Sequence, residues 1–243
     1  MLYKTAGIVL HTTKFSDKLQ LVHIFTEEFG SVTYGVAPGS SKKHGRKTAF
    51  LQPFSLLQLE VEHKNSREIH RIRESRLHIP LESILLNPLK ITISLFLAEF
   101  VYRAVKEHSP NKPLYEFLLQ SILALDLLRK GIANFHIVFL FKLTRCLGFF
   151  PNTASHDKQK TIYFDMQNGI FVSIRPLHKH YLLPEETHVF GLLLRMNFDN
   201  MHLFKLSQQE RMSIIRKIIE YYRLHLTEFS IPKSLDVLHE VFS

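Results

Sequence analysis

The residues with most chemistry to offer are Lys42, Lys43, Arg46 and Lys47. With His44 they crowd the nine-residue stretch Gly39-Ser40-Ser41-Lys42-Lys43-His44-Gly45-Arg46-Lys47. No acid interrupts them, and small residues and two glycines space the charges. Such a loop suits a line of phosphates, because several long cations neutralise successive charges and release their counterions. It carries no aromatic ring, so contact with a nucleic-acid backbone is expected over stacking on bases. Phe50 and Phe54 flank it, and Phe54 suits a core as well as a platform. Arg67, Arg71 and Arg73 follow and join the candidate nucleic-acid contacts.

A second constellation falls between 134 and 147. Lys142 and Arg145 are three apart, which places them on one helical face, with Val138 and Phe141 beside them at helical spacing. Cations mixed with exposed apolar groups suit a short acidic peptide that ends in an aromatic residue. The plainer alternative buries Val138 and Phe141 and lets Lys142 and Arg145 snorkel outward.

Other chemistry is thinly represented. His178-Lys179-His180 is an H-x-H pair with His156 and His188 at a distance, whereas structural zinc wants four closely spaced ligands, usually thiolates among them. Cys146 stands alone, which excludes an internal disulfide framework, and its apolar neighbours Leu143 and Leu147 point to an inert buried thiol. No Walker loop, G-x-S-x-G or H-E-x-x-H occurs, and the acids form no evident metal-binding cluster. No catalytic residue, metal or cofactor is therefore expected, and no enzyme.

Composition agrees with a polyanion partner. The chain has 243 residues and a formal charge of +9, and its 45% apolar content is enough for a sizeable core. Residues 1–80 hold 12 Lys and Arg against 7 Asp and Glu, while residues 81–243 hold 19 against 15, so the first part is about twice as basic per residue. The N-terminus lacks the regions of a signal peptide, and no run approaches the ~20 apolar residues of a membrane span. A single cysteine suits a reducing cytoplasm.

The positioning elements follow from period. Up to residue 80 the pattern is β. Ile8 and Leu10 alternate with Gly7, Val9 and His11; Lys18 to Thr26 is a second run; Val32, Tyr34 and Val36 alternate; Leu57, Leu59 and Val61 alternate again. Asn65-Ser66 makes a turn, and residues 67–78 return as a fifth strand carrying Arg67, Arg71, Arg73 and Arg76. Five short strands in about 80 residues suggest a small barrel of the OB type. From Pro80 the period becomes helical, with segments at 81–87, 89–107, 114–128 and 134–147. Glu99 and Arg103 pair at i,i+4 in the second of these. Residues 161–174 read as a hairpin whose Asn168-Gly169 supplies the positive φ angles of its turn. Further helices start at Pro184, at the capping box Ser207–Glu210, and at Ser234 as a cap. The fold class is α+β: a five-stranded OB barrel (1–80), then a mainly helical domain (81–243) with an inserted β-hairpin.

Several segments together resemble the RecO family of bacterial DNA repair proteins. They are Gly7-Ile8-Val9-Leu10, Phe15-Ser16-Asp17-Lys18, Ile24 through Gly30, the basic loop, Leu51-Gln52-Pro53-Phe54, Leu147 through Asn152, Tyr222 through Leu226, and Lys233-Ser234-Leu235. They stand in family order along nearly the whole chain. The resemblance implies a recombination mediator located in the bacterial cytoplasm with the nucleoid. Such a protein binds single- and double-stranded DNA and the acidic tail of the single-stranded-DNA-binding protein. It acts with RecR, anneals complementary strands and helps load RecA at gaps. By position, Lys42, Lys43, Arg46 and Lys47 become DNA contacts; by region, Lys142 and Arg145 gain weight as tail contacts. Many members carry a four-cysteine zinc finger after the segment matching Gly148–Asn152. Residues 153–175 here have no cysteine, so pairing of the hairpin is expected to hold that region without zinc. The competing reading is an adaptor that uses the basic patch on acidic proteins.

Overall fold

The computed structural model describes residues 1–37, 50–64, 66–106, 108–153 and 163–241. The chain forms two compact units. One comprises Met1–Leu128 with the C-terminal segment from Ile231, and the other Arg129–Ser230.

The first unit is built on a closed barrel of order β1-β2-β3-β5-β4, in which β1 is Leu2–Ser16, β2 Leu19–Thr26, β3 Gly30–Val36, β4 Leu56–Glu62 and β5 Ile69–Ile79. Every ladder is antiparallel except β3 with β5. Val9, Val22, Ile24, Val32, Tyr34, Leu57, Leu59 and Val61 fill the interior, which bears out the alternation read at 32–36 and 57–61. The first strand departs from simple alternation. Ile8, Val9 and Leu10 are all buried. A Cβ on Gly7 would meet Ile24 and Leu59, so Gly7 and Val9 face inward and Ile8 and Leu10 outward. Their outer face is covered by helix α2 (Pro88–Ala104), which packs on β1.

Before α2 comes the short α1 (Glu82–Leu86), and after it α3 (Lys112–Leu127). Lys90 is buried in this group, and its ammonium donates to Ser83 Oγ at 2.7 Å and to the Asp126 carbonyl at 2.8 Å. The Asp126 carboxylate accepts the N–H of Ile84 at 2.7 Å, so one lysine and one aspartate tie three helices. The chain returns to this unit as α7 (Ser234–Val241), which packs on α2. Here the expected role of Ser234 is reversed. Its N–H and hydroxyl both donate to the Glu99 carboxylate, at 2.9 and 2.6 Å, and Lys233 N–H donates at 3.0 Å. Glu99, from another helix, is the acceptor at this N-terminus; Arg103 occupies it from its own helix at 2.9 Å.

The second unit contains α4 (Phe135–Cys146), α5 (Pro184–Leu193) and α6 (Gln208–His225), with a three-stranded sheet ordered β7-β6-β8. Its strands are β6 Tyr163–Asp165, β7 Ile170–Val172 and the unforeseen β8 Tyr181–Leu182. Tyr222 of α6 is fully buried and donates to the Leu140 carbonyl at 2.7 Å, and Tyr221 donates to that of Phe149 at 2.7 Å. The hairpin is present but its turn differs from expectation. Asp165 pairs with Ile170, so four residues form the loop, and only Gly169 has a positive φ, +66°. Asn168 instead donates its side-chain amide to Asp165 Oδ2 at 2.8 Å, while Asp165 Oδ1 accepts the N–H groups of Gln167 and Asn168 at 3.0 Å. Burial alone would raise the Asp165 carboxyl; hydrogen bonds from Asn168 and His178 outweigh that and hold it low.

Candidate nucleic-acid interface

The arginines of β5 are aimed by the pleat. His70 is buried and Ile72 packs against the barrel interior, so Arg71 and Arg73 point outward and are exposed. Arg71 lies opposite Glu62 across the β4 ladder, and a bulge between Glu60 and Val61 leaves Arg73 as the extra residue of its strand. Arg73 is spent on that neighbour: its Nε donates to Glu62 Oε1 at 2.6 Å, and Nη2 reaches the same oxygen. The Arg73 hydrogen bond keeps the Glu62 carboxyl below the ordinary range. Contrary to the sequence pattern, Arg67 lies not on the strand but in the turn before it, exposed. Among the described residues Arg67 and Arg71 have no acid within ion-pair distance.

Lys42, Lys43, Arg46 and Lys47 lie outside the described residues. The scaffold at their loop's ends is described. Gly35, two residues before the last described one at Ala37, is the parallel register partner of Arg71. At Gly35, β3 therefore runs one ladder spacing, about 5 Å, from the outward arginine strand. Beyond the undescribed stretch, Phe50 packs against the barrel core and the Leu51 carbonyl accepts Thr12 Oγ1 at 3.3 Å. Phe54 is 1% exposed with φ +65° and is a core residue, not a platform.

In the second unit, Val138 and Phe141 are buried and only Lys142 and Arg145 reach the surface. Each cation has a ring of its own. Lys142 Nζ lies 4.7 Å from the Phe198 centroid, and Arg145 Cζ 4.3 Å from that of Phe150. The apolar groups bordering the cations are thus Phe198 and Phe150, brought in from outside the helix.

The histidines of the H-x-H pair face acids. His178 Nε2 is 3.2 Å from Asp165 Oδ2, and His180 Nδ1 is 3.3 Å from Glu220 Oε1. Among the described residues no group of three or more His, Cys, Asp or Glu could hold a metal ion; His156 lies outside them. Cys146 is half-buried, and burial pushes its thiol up, away from a reactive thiolate.

One feature escaped the sequence reading. Phe29, His63 and His70 form a row of parallel rings, 4.1 and 4.2 Å apart, beside Arg67. A signal for half of it existed. The β4–β5 register pairs Glu62 with Arg71, so the next pair toward the turn is His63 with His70. Phe29 comes from the β2–β3 turn, with no local mark to connect it.

The chain matches two families along almost its whole length. "Recombination protein O N terminal" covers residues 1–80 and "Recombination protein O C terminal" covers residues 85–235. It is 47% identical over 242 residues to "DNA repair protein RecO" of Azobacteroides pseudotrichonymphae, 43% over 243 to that of Phocaeicola vulgatus, and 34% over 245 to that of Porphyromonas gingivalis. Each alignment spans 100% of both chains.

Proposed function

The chain belongs to the RecO family of DNA repair proteins, and from that premise we propose a non-catalytic recombination mediator that binds single- and double-stranded DNA through its barrel. The observation carrying this reading is the register of Gly35 with Arg71, which sets the stem of the basic loop beside outward arginines. Lys42, Lys43, Arg46 and Lys47 then extend a cationic track already begun by Arg67 and Arg71. Arg73 contributes less, because Glu62 already neutralises it. Loose phosphate contacts of this kind let strands shift while they anneal.

A titration of fluorescent single-stranded DNA against salt tests this. Replacing Lys42, Lys43, Arg46 and Lys47 by alanine is expected to flatten the log–log slope by about 2–3, at roughly 0.7 per lost phosphate contact. Absence of binding by the wild type even at low salt, or an unchanged slope, rules the reading out.

The tail of the single-stranded-DNA-binding protein is assigned to the α4 surface, where Lys142 and Arg145 offer charge and Phe198 and Phe150 offer apolar area. In this reading the grip on the tail and the grip on DNA are separate, as a mediator that works with RecR to load RecA on coated strands requires. Charge reversal at Lys142 and Arg145 is expected to weaken binding of an acidic tail peptide at least tenfold and to leave naked-DNA binding within twofold, given two cations at about 1 kcal/mol or more each. A parallel fall in both would show one shared surface. Annealing of strands coated with the cell's own single-stranded-DNA-binding protein, with and without the chain, measures the combined activity.

A further inference from the structure

Between α5 and α6 runs a groove of about 280 Å³ with an apolar floor. Phe190 and Leu193 line it from one helix and Ile214 from the other, and Val189, 44% exposed, stands at its lip. The lining positions recur at helical steps, 186, 189, 190 and 193 against 210, 213, 214 and 217, so two helix faces form the walls. Among the described residues its charged lining is Glu185, Glu186 and Glu210 against Lys217 alone. In a chain of net charge +9 that balance is inverted.

The acids are held in place. Glu186 accepts the Leu183 N–H at 2.9 Å and lies 3.4 Å from the Lys217 ammonium. Glu210 accepts the Ser207 N–H at 2.6 Å, and that hydrogen bond keeps its carboxyl below the ordinary range. Glu185 is exposed, with no cation within ion-pair distance among the described residues. Such a groove repels DNA and acidic peptides and suits an apolar side chain flanked by cations.

The same unit presents that combination. In the loop between β7 and β8, Ile174 is 81% exposed and Leu177 wholly so. Arg175 and Lys179 flank Leu177, both exposed and without an acid in ion-pair distance among the described residues. The loop is pinned from below. His178 reaches Asp165, His180 reaches Glu220, and Arg175 Nε donates to the Tyr181 hydroxyl at 2.5 Å. These ties leave Leu177 standing outward, and its exposure shows that it does not fill the groove of its own chain.

We propose that the 174–179 loop of one copy seats Leu177 in the α5–α6 groove of a second copy, with Arg175 and Lys179 against Glu185 and Glu210. The contact runs one way, loop to groove, so copies link head to tail. One loop in one groove is a small interface, so the association is weak, concentration-dependent and screened by salt. It does not depend on DNA binding.

Sedimentation velocity of the full chain without DNA, over a wide concentration range, tests this. At low salt the average mass is expected to rise with concentration, and added salt to lower it again. Leu177→Asp on the loop and Val189→Lys at the groove lip change exposed side chains. Each should weaken association at least tenfold, the scale of losing one buried leucine. Mixed in equal amounts, the two variants should associate again, because one keeps its groove and the other its loop. A wild type that stays monomeric throughout, a variant that associates as tightly as wild type, or a mixture no more associated than its parts overturns the proposal. A monomeric wild type that binds a synthetic helical peptide of leucine and lysine, and loses it on Val189→Lys, reassigns the groove to a cationic helix of another protein.

Discussion

Replacing Glu99 by alanine is expected to lower the unfolding free energy by about 3–5 kcal/mol, the range for removing one member of a buried ionic network. Glu99 is 7% exposed, and Arg103, Ser234 and Lys233 all donate to it. Loss of its carboxylate strands the Ser234 hydroxyl and the first N–H groups of α7 together with a guanidinium that has little solvent. The effect depends on pH in a definite direction. Burial alone would raise the carboxyl; hydrogen bonds from Ser234, then from Arg103 and Lys233, override it and bring the pKa down from 4.5 to about 2. A folded-state value below the unfolded one stabilises fully above about pH 4.5, and the contribution fades as pH falls toward 2. The size of that contribution is about 3 kcal/mol. Urea unfolding of wild type and Glu99→Gln at pH 7, 4 and 3 should show a gap that narrows steadily with acid. A gap of constant size would mean that shape, not charge, makes the contact.

Gly30→Ala is expected to cost about 2–4 kcal/mol. Gly30 has φ +66°, which a side chain disfavours by about 1 kcal/mol or more. A Cβ there would also stand 2.2 Å from the Ser109 carbonyl oxygen and 2.8 Å from its carbon. Backbone cannot swing aside as a side-chain tip can, and this segment is pinned: His108 Nδ1 lies 2.7 Å from the Ser31 carbonyl oxygen. Gly148→Ala is the control. Its φ is +85°, but nothing lies within 4 Å of the added carbon, so only the backbone strain remains, about 1 kcal/mol. Thermal melts of the two variants should differ by several degrees. Equal shifts would show that the 108–109 segment yields.

The elements most legible beforehand were those whose signal is local. The alternation at Leu57, Leu59 and Val61 reflects one face turned to a barrel interior, and the capping box at Ser207 and Glu210 forms as read, with Ser207 Oγ accepting Glu210 N–H at 3.2 Å. Where expectation and structure part, a distant element has intervened. Ile8 and Leu10 are buried despite facing outward because α2 lies over them. Ser234 donates instead of capping because Glu99, 135 positions earlier, supplies the acceptor. The hairpin turn is longer than Asn-Gly suggests because Asp165 gathers the turn's N–H groups around its own carboxylate. Val138 and Phe141 are buried, and Phe198 and Phe150 take up the places beside the cations.

By itself, then, the sequence determined the order and period of the elements, the OB barrel followed by helices, the excess of positive charge at the barrel end and the family. These follow from chain-local chemistry: side-chain alternation, turn residues and the types of charge carried. The tertiary structure alone decided which of the described arginines on β5 pairs with an acid. Arg73 looks equivalent to Arg71 until the bulged β4–β5 ladder hands it to Glu62. It also decided that Phe29, His63 and His70 share one row, since ladder register and barrel closure bring together residues that no local spacing relates. The stretch at 39–47 shows its run of cations on its own; only the closed barrel runs β3, which leads toward it, beside Arg71.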